Sequence, residues 1–396
     1  MENVKVRPAE PGNMVLGSVL VLGHAVKHVF NAGFFIVLPE LQLQLGLSNA
    51  AIGTLATIRN AGGGLANIPA GYIADRYSDR WPTILAISIA LVGVFLFLMG
   101  TTSTYWLLVL TATLAGISIS FWHPPAIAAL SKRFATRRGF AISMHGSGGS
   151  VGEALGPITV GLLLSLFFWN TVVQSGIIPA LAMAITVWIV LRGLRGSPGS
   201  PASFRMYVHA VVRLIRYPAL VTILFITGGY SAAQGILITF LPLYLRVELG
   251  YSPLVMSAFI SGSQAMGIVS QPLLGLLSDR YSRKSVLLPG LLGLGITVTV
   301  IPFAGTGLPL FLVLVMMGAF SYPLMAVLLA AAMDIAGSDV QATTVSLVFG
   351  AAIVFSAVSP AIAGHLADTY GVRAVFFLAS GIVFAVFVFA AVRMRR

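Results

Sequence analysis

The chain has 396 residues, of which 58% are hydrophobic and only 9% charged, with a formal net charge of +12. A soluble domain carries roughly 25% charged residues, so water cannot solvate most of this surface and soluble folds are excluded. Cysteine is absent, which excludes disulfides, thiolate catalysis and cysteine-ligated metal.

A bilayer core takes about 20 apolar residues per helix. In chain order, twelve stretches meet that length, at roughly 14–38, 49–73, 82–101, 105–130, 138–167, 172–192, 218–245, 252–277, 285–304, 308–335, 340–367 and 372–392. The first is long enough to span, and no small-residue cleavage pattern follows it, so it reads as a span rather than a leader. Of the 23 Lys and Arg, Lys27 and Arg59 fall inside spans, Arg246 and Arg373 in loops of one side, and the other nineteen at the termini and even-numbered loops. Such loops face the cytoplasm. The positive charge is therefore mainly a topology signal, with attraction to anionic lipid as a by-product; no nucleic-acid partner is expected.

Internal repeats decide the domain organisation. Gly71-Tyr72-Ile73-Ala74-Asp75-Arg76-Tyr77-Ser78-Asp79-Arg80 returns as Gly275-Leu276-Leu277-Ser278-Asp279-Arg280-Tyr281-Ser282-Arg283-Lys284, 204 residues later. Leu38-Pro39 returns as Leu241-Pro242, Gly46 as Gly250, Ser48 as Ser252, and Gly156-Pro157 with Gly161 as Ser359-Pro360 with Gly364. A duplicated bundle follows: residues 1–193, a cytoplasmic linker at 194–217, and residues 218–396. The linker carries Arg195, Arg205, Arg213 and Arg216 with a Gly-Ser-Pro-Gly-Ser-Pro run, which suits a flexible tether with a basic tail on the membrane surface.

An ionisable group inside a span costs about 2.5–3.5 kcal/mol even on lenient scales, so each is a functional candidate. His24, Lys27, His28 and Asn31 sit at i, i+3, i+4 and i+7 and share one helical face. Arg59 is central in the second span beside Asn60; His123 lies in the fourth, and His145 and Glu153 in the fifth. The repeat-related positions are neutral: Tyr230, Gln234, Ser263 and Ser356. A cavity with two deep cations and one carboxylate suits an anionic or zwitterionic ligand. Arg59 would be its planar fork and Lys27 a point charge beside it. The expected binding set is Lys27, His28, Asn31, Arg59, His123, Tyr230, Gln234 and Ser263. Glu153, His24 and His145 are candidates for proton coupling. Against this stand plain readings: Glu153 pairs with Lys27 or Arg59 and neutralises it, and each histidine is a hydrogen-bonded packing residue. An intramembrane metalloenzyme using His24, His28, His123 and His145 is a rival. However, His24-Ala25-Val26-Lys27-His28 has no glutamate beside its first histidine, and its lysine repels a metal, so no metal is expected. Asp334, Asp339 and Asp368 lie at span ends and are expected at the interface; Tyr322-Pro323 and Trp122 line the cavity or pack.

Over nearly its whole length the chain resembles the major facilitator superfamily. The family loop Gly-x-Leu-Ala-Asp-Arg-x-Gly-Arg-Arg/Lys-x-x-Leu is matched at Gly71, Asp75, Arg76 and Arg80, with Ser78, Asp79 and Thr83 departing from it. The second copy matches at Gly275, Asp279, Arg280, Arg283, Lys284 and Leu287, with Ser282 departing. Gly152-Glu153-Ala154-Leu155-Gly156-Pro157 resembles the fifth-helix motif of drug:proton antiporters. Phe121-Trp122-His123-Pro124, Arg137-Arg138-Gly139, Ser143, Gly148-Gly149 and Gly364-His365-Leu366-Ala367-Asp368 are similar to the fosmidomycin-resistance branch.

The resemblance implies an all-α membrane protein of twelve helices in two pseudo-symmetric six-helix bundles, both termini cytoplasmic, in a bacterial inner membrane. It implies a transporter and not an enzyme: a monomer working by alternating access on a small-molecule substrate, with the proton gradient as energy source and no cofactor. Efflux of a small anionic or zwitterionic drug is the leading expectation; proton-symport uptake of an organic anion is the alternative. Gly71, Asp75, Arg76, Arg80, Gly275, Asp279 and Arg280 would form a cytoplasmic latch between halves, and Gly152, Gly156 and Pro157 the antiport motif. Many antiporters carry an arginine in the fourth span; none occurs here between Thr104 and Leu130, so its proton relay does not carry over.

Overall fold

The computed structural model describes residues 11–134, 137–194, 212, 216–336 and 341–394. The predicted linker at 194–217 therefore falls almost wholly outside the described residues, as does Asp339. Fifteen α-helices occur among the described residues, and no strand. In the first half of the sequence these are α1 (Pro11–Leu45), α2 (Asn49–Arg76), α3 (Trp81–Met99), α4 (Tyr105–Ser120), α5 (His123–Arg133), α6 (Arg138–Leu164), α7 (Trp169–Ser175) and α8 (Ile177–Leu191). In the second they are α9 (Pro218–Leu243), α10 (Pro253–Arg280), α11 (Arg283–Val300), α12 (Leu308–Ser321), α13 (Pro323–Ala336), α14 (Gln341–Tyr370) and α15 (Ala374–Arg393).

Ten helical stretches among the described residues are long and apolar enough to cross a membrane. The two predicted spans outside that set are α2 and α6, which are long enough at 28 and 27 residues. Their apolar character is diluted by Arg59, Asn60, Asn67 and three consecutive glycines in α2, and by His145, Glu153 and repeated glycines in α6.

Three predicted spans are broken rather than continuous. The fourth divides at Phe121–Trp122, the sixth at Gly176 and the tenth at Tyr322. Proline explains two of the breaks: it lacks the N–H of the helical ladder but fits a first turn, and Pro124 and Pro323 open α5 and α13. Conversely, α1 runs through Pro39 to Leu45, beyond the predicted end at 38. Pro242 likewise lies inside α9, which continues into a single π-helical turn at Tyr244–Glu248.

The repeated landmarks have a local cause. Gly46 and Gly250 both adopt positive φ, +61° and +70°, which lets the chain leave a helix without Cβ strain. Ser48 and Ser252 then cap the next helix, each Oγ accepting from a backbone N–H three residues on, at 3.1 and 3.3 Å.

Within the first half, α1 packs on α6, and α3 on α4 and α8; within the second, α9 packs on α14 and α15, α10 on α12, and α11 on α15. The two halves meet where α2 lies along α14 and α6 along α10. Among the described residues, the hydrogen bonds across those seams lie toward one end. Thr57 Oγ1 accepts from Ala361 N at 3.1 Å, Asp368 binds the start of α2, and Ser261 Oγ accepts from Ile158 N at 3.1 Å. Toward the end bearing the charged loops, Leu65 and Tyr72 of α2, Phe140 of α6 and Leu273 and Leu276 of α10 are all exposed. Among the described residues, no hydrogen bond or ion pair joins the halves at that end, whereas several do at the other.

Candidate functional site

A cavity of about 540 Å³ opens between α1, α2, α5 and α6 on one side and α9, α10, α13 and α14 on the other. That size falls within the roughly 300–1,000 Å³ usual for small-molecule sites. All eight residues expected to bind substrate reach its wall, as does Glu153. His24 and His145 do not; they sit behind Lys27, His28 and His123, 5% and 3% exposed. Charge is confined to the first half of the sequence. Opposite it, Gln234 donates to Tyr230 OH at 2.8 Å, and Tyr230 donates to the Ser321 carbonyl at 2.9 Å. Tyr322, at the α12–α13 break, also lines the cavity, whereas Trp122 is fully buried behind it.

Arg59 is 4% exposed. Its guanidinium donates to Asn31 Oδ1 at 2.9 Å and Asn60 Oδ1 at 3.2 Å, and lies 4.2 Å over the Phe34 ring. Neutral acceptors and a π-face hold the plane without cancelling its charge. Lys27, 2% exposed, places Nζ 3.0 and 3.5 Å from the two ring nitrogens of His123. Neither cation forms an ion pair among the described residues. The carboxylate instead approaches a histidine: Glu153 Oε1 lies 2.9 Å from His28 Nδ1, at an angle oblique to the ring N–H. The plain reading in which Glu153 pairs with Lys27 or Arg59 is not the arrangement here.

Behind this wall the histidines form a connected group. His24 Nδ1–H donates to the His145 carbonyl at 2.6 Å, and the two rings stack at 3.8 Å. His24 Nε2 is 2.9 Å from His123 Nε2 and 3.1 Å from His28 Nε2. The predicted i, i+3, i+4 face supplies Lys27 and His28 to the cavity, and the break before Pro124 brings His123 to meet them.

Gly152 makes the approach of α6 to α1 possible. A Cβ there would stand 2.1 Å from the Ala25 carbonyl oxygen. Gly156 faces the Val29 carbonyl in the next turn, and Pro157 lines the cavity. This close crossing sets Glu153 against His28.

Among the described residues, the expected latch residues make no hydrogen bond or ion pair between the halves. Asp75 is exposed and forms no hydrogen bond or ion pair among the described residues; Gly71 and Gly275 face open space. Arg76 and Arg80 lean on Tyr77, and Arg280 on Tyr281. Asp279 pairs with Arg283, which also holds Asp334 at 2.9 Å, all within the second half. The contacts that do cross lie at the opposite end, where Arg246 Nε donates to Glu40 at 2.6 Å and Asp368 sits on α2. Sequence reasoning treated Arg246 only as a topology charge and missed Glu40. It also missed Gln264 in the cavity wall, although an uncharged amide inside an apolar span was a signal available to it.

The description Major Facilitator Superfamily matches residues 20–268 and 223–396. The chain is similar to the multidrug resistance protein MdtG of Escherichia coli, 26% identical over 385 residues and 92% of each chain. It is also similar to the fosmidomycin resistance protein of Escherichia coli, 23% identical over 300 residues, covering 73% of this chain and 71% of that one. Among solved structures, a bacterial homologue of the human lysosomal transporter Spinster, inward-facing and occupied, superposes with a TM-score of 0.83 at 16% identity, over 98% of this chain and 97% of that one. A mutant of the nucleoside transporter NupG superposes with a TM-score of 0.83 at 12% identity, over 96% of this chain and all of that one. With ten apolar helices long enough to cross a bilayer among the described residues, and a family model that matches nearly the whole chain, this is a multi-pass inner-membrane transport protein, not an enzyme, and it belongs to the Major Facilitator Superfamily.

Proposed function

We propose that the chain is a proton-coupled transporter that exports a small anionic or zwitterionic compound by alternating access. Twelve helices span the membrane in this reading, α2 and α6 included, because Arg59, Asn60, Asn67 and Glu153, which lower their hydropathy, line the cavity between the halves. The loops rich in Lys and Arg are cytoplasmic, so the cavity is open to the cytoplasm. The observation that carries the reading is the pair of buried cations, Lys27 and Arg59, in the cavity wall with no carboxylate ion-pair partner among the described residues. A buried charge left uncompensated is expensive, and an incoming carboxylate or phosphonate relieves it. Glu153 is the proton site: it leaves His28 on protonation and returns on release, so proton and substrate alternate. Export, rather than uptake, is favoured by the drug-resistance relatives.

The test is flux in proteoliposomes. A pH gradient is imposed and fosmidomycin, then a panel of small carboxylates and phosphonates, is offered as labelled probe. Proton-driven counterflow that disappears when the gradient is collapsed is the expected result. Co-movement of anion and proton in the same direction replaces export with uptake, and flux independent of pH removes the coupling.

A further inference from the structure

We propose that His24, His28 and His123 form a binding site for a divalent transition-metal cation of the Zn²⁺ type. A carbonyl oxygen can only accept, so the 2.6 Å contact from His24 Nδ1 to the His145 carbonyl puts the ring proton on Nδ1 and leaves Nε2 with its lone pair. His28 Nδ1 lies 2.9 Å from a carboxylate oxygen of Glu153, off the direction of a ring N–H. The two Nε2 atoms face each other at 3.1 Å. With the His24 lone pair turned toward His28, either a proton on His28 Nε2 or a bound cation joins the two rings. His123 Nε2 supplies a third donor, 2.9 Å from the same His24 atom.

The geometry fits such an ion. The three ligand atoms lie within 4.8 Å of one another. A tetrahedral ion with bonds of about 2.0–2.1 Å holds its donors roughly 3.3 Å apart, close to the 2.9 and 3.1 Å that separate His24 Nε2 from its two neighbours. The outer partners are those of ligating imidazoles, whose second nitrogen is held by a carboxylate or a backbone carbonyl; here Glu153 and the His145 carbonyl fill those places. His28 and His123 line the cavity, which provides an entry path and room for a fourth ligand. Imidazole selects Zn²⁺, Co²⁺ or Ni²⁺ over Mg²⁺ or Ca²⁺, which need oxygen.

Lys27 is the competitor. Its Nζ lies near both nitrogens of His123, off the lone-pair axis of each. It therefore blocks none of the three donors, but its charge opposes a second cation. Arg59 adds to that field from α2, and Glu153 opposes it from α6. A metal site here thus predicts that removing Lys27 strengthens binding, which a packing role for the histidines does not.

The test needs no transport and so stands apart from the export reading. Full-length protein, its affinity tag removed and stripped with chelator, is titrated with Zn²⁺ by calorimetry and with Co²⁺ by visible absorption. One ion per chain, with a nitrogen-ligated Co²⁺ spectrum and no response to Mg²⁺, is expected. His123→Gln should weaken binding at least tenfold, Glu153→Gln about 10–100-fold, and Lys27→Met should tighten it severalfold. Thermal unfolding confirms that each variant is folded. Absence of stoichiometric binding in both the wild type and Lys27→Met overturns the proposal, as does binding that His28→Gln and His123→Gln leave unchanged.

Discussion

The carboxylate of Asp368, at the end of α14, accepts from the backbone N–H of Asn49, the first residue of α2, at 2.8 Å, and its other oxygen accepts from Ala50 N at 2.9 Å. The positive end of one half's helix is thereby held by an anion from the other half, beside the Glu40–Arg246 pair at the same end. This is the closed end of the molecule.

Asp368→Asn should loosen that end. A charge at an exposed helix terminus contributes about 0.3–1 kcal/mol, so closure weakens by roughly 2–5-fold. The chain has no cysteine, so Leu43→Cys and Tyr370→Cys, exposed and on opposite halves, can carry spin labels without background. Longer or broader label distances in Asp368→Asn are expected; an unchanged distribution removes Asp368 from the closure.

Arg59→Gln should weaken anion binding without unfolding the protein. Hydrogen bonds to a charged group contribute about 1.5–3 kcal/mol, so loss of the fork weakens binding roughly 10–150-fold. Because Arg59 has no ion-pair partner among the described residues, its removal leaves no charge stranded, and thermal stability should hold or rise. Ligand-induced thermal shift over small carboxylates and phosphonates reads both quantities. An undiminished shift in the variant ends the anion assignment.

Glu153→Gln should uncouple transport from the proton gradient. Glutamine keeps the size of the side chain but cannot gain or lose the proton. Exchange of labelled for unlabelled substrate should persist in proteoliposomes while pH-driven accumulation stops. Normal accumulation in the variant would take the proton away from Glu153.

Gly152→Ala should separate α1 from α6. The new methyl meets the Ala25 backbone carbonyl at 2.1 Å, and a backbone atom cannot swing aside as a side chain can. Overpacking of this kind costs about 1–3 kcal/mol. Gly146→Ala, on the same helix with nothing within 4 Å of the new atom, is the control and should be neutral or stabilising. Equal unfolding temperatures for the two variants would show that the crossing is not close-packed.

The one-dimensional pattern determined what repeats and what is buried. Period and hydropathy set the helices; the offset between Asp75 and Asp279 disclosed the duplication. The rarity of charge in lipid pointed to Lys27, Arg59 and Glu153, because each is costly wherever it sits in a span. The helical face of His24, Lys27, His28 and Asn31 was legible for the same reason, since 3.6-residue spacing is a local property. Partnership was not legible. That Glu153 meets His28 rather than Lys27 depends on how closely α6 crosses α1, which no spacing within either helix encodes. That Asp368 caps α2, and that Glu40 meets Arg246, depends on which ends of the two halves are closed. Those are choices of tertiary geometry: the same residues at the same positions acquire their partners only when separate helices are docked, and charge pairing is decided by distance in space rather than along the chain.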